Sequence, residues 1–124
     1  MAQINLDTAQ RLDITCRKGD TFLLEVDFGQ TIPTDGWLMQ VRLSDVDDEF
    51  VLEASSDSEI VVSDGNATGT TITDSKITVT IAADIMDEPT LSGMYVYDIQ
   101  NTDSGVVKTY LYGIFKVNED ITIE

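Results

Sequence analysis

The densest group of side chains that could do chemistry is the acidic run from Asp45 to Glu49. Closely spaced carboxylates supply the oxygen ligands that Ca²⁺ prefers. The candidate metal ligands are Asp45, Asp47, Asp48 and Glu49. Their spacing does not match the EF-hand loop, which needs a glycine at its sixth position and a glutamate at its twelfth. We therefore interpret the run as a solvated turn, and we predict neither a bound metal ion nor a cofactor.

The sequence offers few side chains that could act as a catalytic nucleophile or general base. The chain has no histidine, which removes the usual general base and the commonest transition-metal ligand. Its single cysteine, Cys16, therefore has no histidine to activate it, and we interpret it as a small apolar strand residue. Hydrolysis by two carboxylates needs a facing pair, and spacing marks no such pair among the 23 acidic residues. The sequence predicts a protein that is not an enzyme; a carboxylate with a raised pKa in a concave pocket would favour the opposite interpretation.

Charge restricts the partners. The chain carries 7 basic and 23 acidic side chains, and its formal net charge of −16 repels nucleic acid and anionic lipid. We therefore predict neither a nucleic-acid nor a membrane partner. Arg17 and Lys18 form the one adjacent basic pair, and they are candidates for contact with an acidic partner.

The N-terminus lacks a basic region followed by an apolar run, which predicts synthesis in a cytoplasm.

Tyrosines are a second candidate for partner contact. Tyr95 and Tyr97 lie in one predicted strand, and Tyr110 and Tyr112 lie in the next. If these strands pair, the rings that face inward pack in the core, and those that face outward present rigid amphipathic surface to a partner. The candidates for partner contact are Tyr97, Tyr110 and Tyr112.

The elements that position these residues are strands. Phe22, Leu24, Val26 and Phe28 alternate with polar residues, which predicts a half-buried strand. The same reasoning predicts strands at 12–16, 21–28, 37–43, 50–54, 60–63, 77–81, 94–100 and 106–117, with a polar, mobile loop at 66–75. Pro89 limits the one helical pattern to a short turn near 82–88. Short strands at intervals near ten residues predict an all-β sandwich.

Two residues narrow the sandwich further. Trp37 opens a strand at the position of a core tryptophan in immunoglobulin-like domains, and Tyr95 follows a helical turn as the corner tyrosine of such domains does. We predict an immunoglobulin-like β-sandwich of about 7–9 antiparallel strands. It comprises a flexible N-terminal arm, residues 1–10, and a single domain, residues 11–124. The predicted structural residues are Gly19, Trp37, Gly93, Tyr95 and Gly113.

Four segments together resemble a bacteriophage module. They are the stretch from Leu12 to Phe22, Gly36-Trp37 opening a strand, the stretch from Gly93 to Gln100, and Gly113 to Val117 followed by Asp120-Ile121-Thr122. The chain resembles the immunoglobulin-like N-terminal domain of phage baseplate upper proteins and short virion proteins built on the same pattern. These segments are turn and core signatures, so the resemblance implies a virion component and assigns no catalytic residue.

The leading functional hypothesis is a non-enzymatic structural protein of a phage virion. The sequence ends at Glu124, with no coiled coil or receptor-binding region after the domain. We therefore expect an auxiliary or decorating capsid protein, or a collar, tail or fibre-anchoring protein. Its expected partners are other virion proteins or further copies of itself. The alternative is a carbohydrate-binding or host-adhesion module that uses Trp37 or the tyrosines.

Overall fold

The computed structural model describes residues 9–43, 50–87 and 93–118. Nine strands and one helical turn make up this part of the chain. Their bounds are β1 Gln10–Arg11, β2 Ile14–Arg17, β3 Phe22–Asp27, β4 Trp37–Arg42, β5 Phe50–Ser55, β6 Ile60–Gly65, β7 Ile72–Ile81, α1 Ala83–Met86, β8 Gly93–Asp103 and β9 Val106–Asn118. The other predicted strands and the helical turn near 82–88 are present, whereas the strand predicted at 12–16 is formed only from Ile14 onward. In these three ranges there is no helix that could cross a membrane.

The strands form two sheets. The six-stranded sheet has the order β1-β9-β8-β4-β5, with β2 also paired to β9, and the three-stranded sheet has the order β3-β7-β6. An immunoglobulin-like sandwich has the same arrangement, with its strands G, F and C in one sheet and B, E and D in the other. The predicted immunoglobulin-like fold is confirmed.

One core lies between the sheets, and alternate residues of the strands build it. In β4, Trp37, Met39 and Val41 are buried, whereas the residues between them are partly exposed. The other buried apolar side chains are Phe22, Ile32, Leu52, Ala54, Ile60, Ile77, Val79, Ile81, Met86, Tyr95, Tyr97, Ile99, Leu111, Phe115 and Val117. Burying a large apolar side chain contributes about 1.5–3 kcal/mol, so the period-2 pattern determines which faces meet.

The N-terminal strands depart from the predicted antiparallel pairing. Both β1 and β2 run parallel to β9, with Gln10 opposite Leu111 and Ile14 opposite Phe115. Alternation shows which residues share a face, but it carries no information about strand direction. The strand predicted at 12–16 is also interrupted, because the Asp13 carboxylate accepts the Ile114 N–H at 3.0 Å. Gln10, assigned above to the arm, already belongs to the sheet, and residues 1–8 lie outside the described residues.

Strand β7 begins at Ile72, inside the stretch that the sequence assigned to a mobile loop. Ile72 pairs with Gly65, next to an irregularity in β6. Ser75 is buried in this strand, and its hydroxyl donates to the Ile72 carbonyl at 3.0 Å. Because this local hydrogen bond satisfies the hydroxyl, a polar residue can occupy a buried position. Hydrophobic alternation does not detect such a position.

Asp27 fastens the loop between β6 and β7 to the end of β3. Its carboxylate accepts the N–H of Asn66 at 2.6 Å and the N–H of Gly29 at 3.1 Å, and it lies 3.5 Å from the Ser75 hydroxyl, whose one hydrogen it shares with the nearer Ile72 carbonyl. The N–H groups of Asn66 and Gly29 hold the pKa of this carboxyl below its usual value. The ionised form is therefore the one that stabilises the folded loop.

We expect Asp27→Asn to reduce stability at neutral pH and to reduce it less in acid. A carboxyl whose pKa is lower in the folded state stabilises fully above its unfolded pKa of 3.8, and this contribution is lost as the pH falls through the folded value. Urea unfolding between about pH 7 and about pH 2 measures the difference between wild type and variant. Asp57→Asn, in the exposed turn after β5, is the control. A difference for Asp27→Asn that does not change with pH would contradict this role of the carboxylate.

Candidate functional site

The outward surface of the six-stranded sheet, which we call the outer face, carries a cluster of apolar side chains. The cluster consists of Met94, Val96, Tyr112 and Ile114, on the sides of β8 and β9 that point away from the core. Val96 lies directly opposite Ile114 in the register, and Met94 is two residues before Val96 in β8. Met94 is 60% exposed and Tyr112 is 39% exposed. Contiguous exposed apolar surface of this kind is typical of an interaction site.

The other sheet does not repeat this arrangement on its outward surface. Leu23 and Val61 are exposed there, but they are on the two outer strands of the sheet. Leu23 lies opposite Thr80 and Val61 lies opposite Thr78, so threonines of the central strand separate the two apolar side chains. Isolated exposed apolar residues are ordinary on any protein surface. The outer face of the six-stranded sheet is therefore the better candidate for a binding surface.

The outer face is also less acidic than the chain as a whole. The strand register places four of the seven basic residues on it. They are Arg11, Arg17, Arg42 and Lys116. Within the described ranges, the same register places two carboxylates there, Glu53 and Asp98. Tyrosine, methionine and arginine are enriched at protein interfaces, and this face carries all three.

Hydrogen bonds hold several polar side chains of the outer face. The Arg42 guanidinium donates to the Gln40 amide oxygen, and the Gln40 amide nitrogen donates to Glu53 at 2.8 Å. At the border of the face, the Arg11 guanidinium donates to the Asp13 carboxylate at 3.2 Å. Because these side chains are already ordered, a partner that binds here would lose less conformational entropy in fixing them.

A depression of about 300 Å³ lies at the centre of the outer face. Its lining includes Arg42, Val96, Asp98, Tyr112 and Ile114. Burial raises the pKa of the Asp98 carboxyl, and the charge of Arg42 opposes this shift. Asp98 is thus a carboxylate with a raised pKa in a concave site, which is the feature that would favour an enzyme. However, it is the one carboxylate among the residues lining this depression, whereas hydrolysis by paired carboxylates needs two.

The three tyrosines proposed for partner contact lie in three different environments. Tyr112 lies on the outer face. Tyr97 is 4% exposed, and its hydroxyl donates to the Leu12 carbonyl, so its assignment to partner contact is corrected to a core role. Burial is the main reason for the raised pKa of Tyr97. Tyr97 faces inward because β8 buries Tyr95, Tyr97 and Ile99 on one side.

Tyr110 packs against the core because β9 contains an irregularity. Ile99 pairs with Leu111, and the next residue of β8, Gln100, pairs with Thr109, so Tyr110 is an extra residue in β9. Such a bulge interrupts the alternation of faces. The Tyr110 ring lies 4.8 Å from the Trp37 ring and 5.3 Å from the Phe28 ring, and Lys108 Nζ lies 4.7 Å from its centre. Tyr110 is therefore half-buried among aromatic rings.

The predicted structural residues serve different purposes. Trp37 and Tyr95 are buried in the core. Gly19 has a φ of 87° in the turn after β2, a conformation that favours glycine. Gly93 opens β8, and residues 88–92, where the backbone partner of a corner tyrosine would lie, are outside the described residues. Gly113 lies in the middle of β9, and it allows the backbone at Leu12 to pass close to that strand.

The two predicted charged sites also differ in outcome. Arg17 ends β2 on the outer face, whereas Lys18 lies in the following turn, where its N–H donates to the Asn118 carbonyl at 2.8 Å. The candidate metal ligands Asp45, Asp47, Asp48 and Glu49 lie outside the described residues. In the part of the chain that the structure describes, no three acidic or cysteine side chains are grouped to hold a metal ion.

Most residues of the outer face were not singled out in the sequence. Met94, Val96 and Ile114 alternate with buried residues, so they could have been placed outward once Tyr95 and Tyr97 were placed inward. Arg11 and Arg42 gave no such signal. Their proximity to the cluster depends on pairing between strands that are far apart in the chain, such as Arg11 opposite Tyr112.

Comparisons with known proteins add little about function. No protein-family model matches the chain, and no curated protein matches it. Among solved structures, the chain is similar to the extracellular fragment of novel immune-type receptor 11 from Ictalurus punctatus, including its stalk region. The identity is 11%, 96% of this chain and 90% of that chain are covered, and the TM-score is 0.42. The chain is also similar to a structure from photo-crosslinking analyses of the multimeric cell-adhesive interactions of VGSC beta subunits. The identity is 10%, 97% of this chain and 100% of that chain are covered, and the TM-score is 0.35.

Proposed function

We propose that this protein is a non-enzymatic structural component of a phage virion, and that it acts by protein–protein assembly. It is made in the host cytoplasm and incorporated into the particle as an auxiliary or decorating capsid protein, or as a collar, tail or fibre-anchoring protein. The phage context of this proposal rests on the sequence resemblance given above. Assembly through protein contacts rests on the outer face.

The single observation that carries the assembly role is the apolar cluster of Met94, Val96, Tyr112 and Ile114, of which Met94 and Tyr112 are exposed and the other two are partly exposed. These side chains lie on a rigid sheet rather than on a loop, and the register places them next to one another. Interfaces obtain most of their binding energy from a few residues near their centre, most often tryptophan, tyrosine and arginine, surrounded by contacts that exclude water. The outer face provides tyrosine and arginine around one depression, which supports its use as a docking surface.

The alternative function, carbohydrate binding or host adhesion, would need exposed aromatic rings. Trp37 is 2% exposed and Tyr110 is partly buried against the core, so Tyr112 is the proposed aromatic contact on the exposed surface. A glycan array distinguishes the two functions. Binding to a defined glycan that is lost in Tyr112→Ala would favour adhesion over assembly.

Mass spectrometry of purified particles tests the virion assignment directly. We expect the protein at a fixed number of copies per particle, and its absence at any copy number would refute the assignment.

We further expect Met94→Glu to reduce incorporation into particles at least about tenfold, since it replaces the most exposed apolar side chain of the cluster with a charge. Val61→Glu is the matched control, because Val61 is 58% exposed on the outward surface of the other sheet. Both variants should remain folded by circular dichroism. Equal incorporation of the two variants would show that the outer face is not the assembly surface.

A further inference from the structure

We propose that the outer face binds an acidic surface of a different protein in the assembly, and that Lys116 and Arg17 contact carboxylates of that protein. This inference rests on the proposed assembly function and specifies the chemistry of the partner.

The distribution of charge over the molecule supports an acidic partner. The chain has a net charge of −16, yet four of its seven basic residues lie on the outer face. Two of them, Arg17 and Lys116, are exposed on the neighbouring strands β2 and β9. Thr15 lies opposite Lys116 in the register, and Arg17 lies opposite Asn118. Arg17 is therefore one outward-facing position farther along the sheet than Lys116. An acidic partner that approaches from other directions meets predominantly negative charge, and it is steered toward this face.

The apolar cluster lies beside Lys116, and Arg17 lies farther along the neighbouring strand. Met94 is directly opposite Lys116 in the pairing of β8 with β9, and Ile114 is two residues before Lys116 in the same strand. A partner with apolar residues flanked by aspartate or glutamate would therefore bury its apolar part on the cluster and pair its carboxylates with Lys116 and Arg17. Charge pairs at the rim of an interface contribute mainly to specificity and association rate.

A second copy of this chain is a poorer occupant than a different protein. If two copies packed through their outer faces, each would present to the other the same surface, on which four bases outnumber the two carboxylates Glu53 and Asp98. If the outer face of one copy packed against another surface of the next, two chains of net charge −16 would be brought together. Like charges placed close together oppose association. A different protein that carries a local acidic patch but a much smaller net negative charge avoids both costs.

Carbodiimide cross-linking of the native assembly tests this proposal, since the reagent joins a lysine amine to a carboxylate only where the two are in contact. The assembly is isolated through a C-terminal tag from cells that produce the protein at its natural level, and from purified particles in parallel. We expect Lys116 to be the main lysine linked to aspartate or glutamate of a different protein. Lys108 lies on the same strand but over the Tyr110 ring, and it should form fewer than about one tenth as many links.

Charge reversal gives an independent measurement. We expect Arg17→Glu combined with Lys116→Glu to lower the amount of co-isolated partner at least about tenfold, and Lys108→Glu to leave it within about twofold. Wild-type binding should weaken at high salt, and the double variant should lose most of this dependence.

The outcomes separate the two proposals. Links made mainly by Lys18, Lys76 or Lys108, links to carboxylates of the protein's own copies, or a salt-independent contact would overturn the acidic-partner inference. If the protein is absent from particles while Lys116 is linked to another protein in the cell, the virion assignment fails and the acidic-partner inference stands. A protein that is isolated alone would overturn both.

Discussion

Trp37→Ala is expected to destabilise the domain by about 4 kcal/mol, which is within the range for removing a large aromatic side chain from a core. Trp37 is 2% exposed, and its ring lies 5.8 Å from the Phe28 ring and 4.8 Å from the Tyr110 ring. Its indole N–H also donates to the Pro33 carbonyl at 2.8 Å. Alanine would leave a cavity between the two sheets and remove the donor that satisfies this carbonyl.

Trp37→Phe separates the two contributions. Phenylalanine keeps most of the apolar contact but cannot donate to Pro33, so we expect a smaller loss, about 1–2 kcal/mol. Urea unfolding of both variants should be followed by far-ultraviolet circular dichroism, because Trp37 is the only tryptophan and its fluorescence disappears with it. Val51→Ala, on an exposed strand position, is the control for a change outside the core. Equal losses for Trp37→Ala and Trp37→Phe would contradict a role in packing and leave only the hydrogen bond.

The burial of Trp37 illustrates what the sequence alone could predict. Trp37, Met39 and Val41 alternate with partly exposed residues, and a pattern with a period of two residues is sufficient to identify a strand with one buried face. The short intervals between such strands then favoured a sandwich. These are local properties, so they require no knowledge of which strands are neighbours.

Features that depend on pairing between distant strands were not predictable in the same way. Arg11 lies beside Tyr112, and the charge of the outer face results from several such pairings. Tyr110 packs toward the core because β9 contains one extra residue, and Asp13 interrupts the strand predicted at 12–16 because its carboxylate accepts the Ile114 N–H. A single unpaired residue changes which face every later side chain occupies. The candidate binding surface therefore became visible only with the register.

Gly113 shows how strongly one such long-range contact constrains the sequence. A Cβ atom at this position would lie 2.4 Å from the Leu12 carbonyl oxygen and 2.9 Å from the Leu12 carbonyl carbon. Both atoms belong to the backbone, so the clash cannot be relieved by a side-chain rotation. The displaced segment also makes hydrogen bonds that would be lost, since the Leu12 N–H donates to the Tyr112 carbonyl at 2.8 Å and the Leu12 carbonyl accepts from Tyr97.

We therefore expect Gly113→Ala to destabilise the domain by about 3 kcal/mol, combining overpacking with at least one lost buried hydrogen bond. For a domain of this size the melting temperature should fall by about 10 °C. Lys116→Ala, an exposed position on the same strand, should change stability by less than about 0.5 kcal/mol.

Hydrogen exchange provides the more specific test of the Gly113 contact. If the added methyl group separates β1 from β9, the amide of Leu12 should exchange faster in Gly113→Ala than in Lys116→Ala, while the amides of β4 remain protected. Uniformly faster exchange would indicate a general loss of stability instead. Unchanged exchange at Leu12 together with an unchanged melting temperature would mean that the first strand does not lie against Gly113, and the parallel pairing of β1 with β9 would then be wrong.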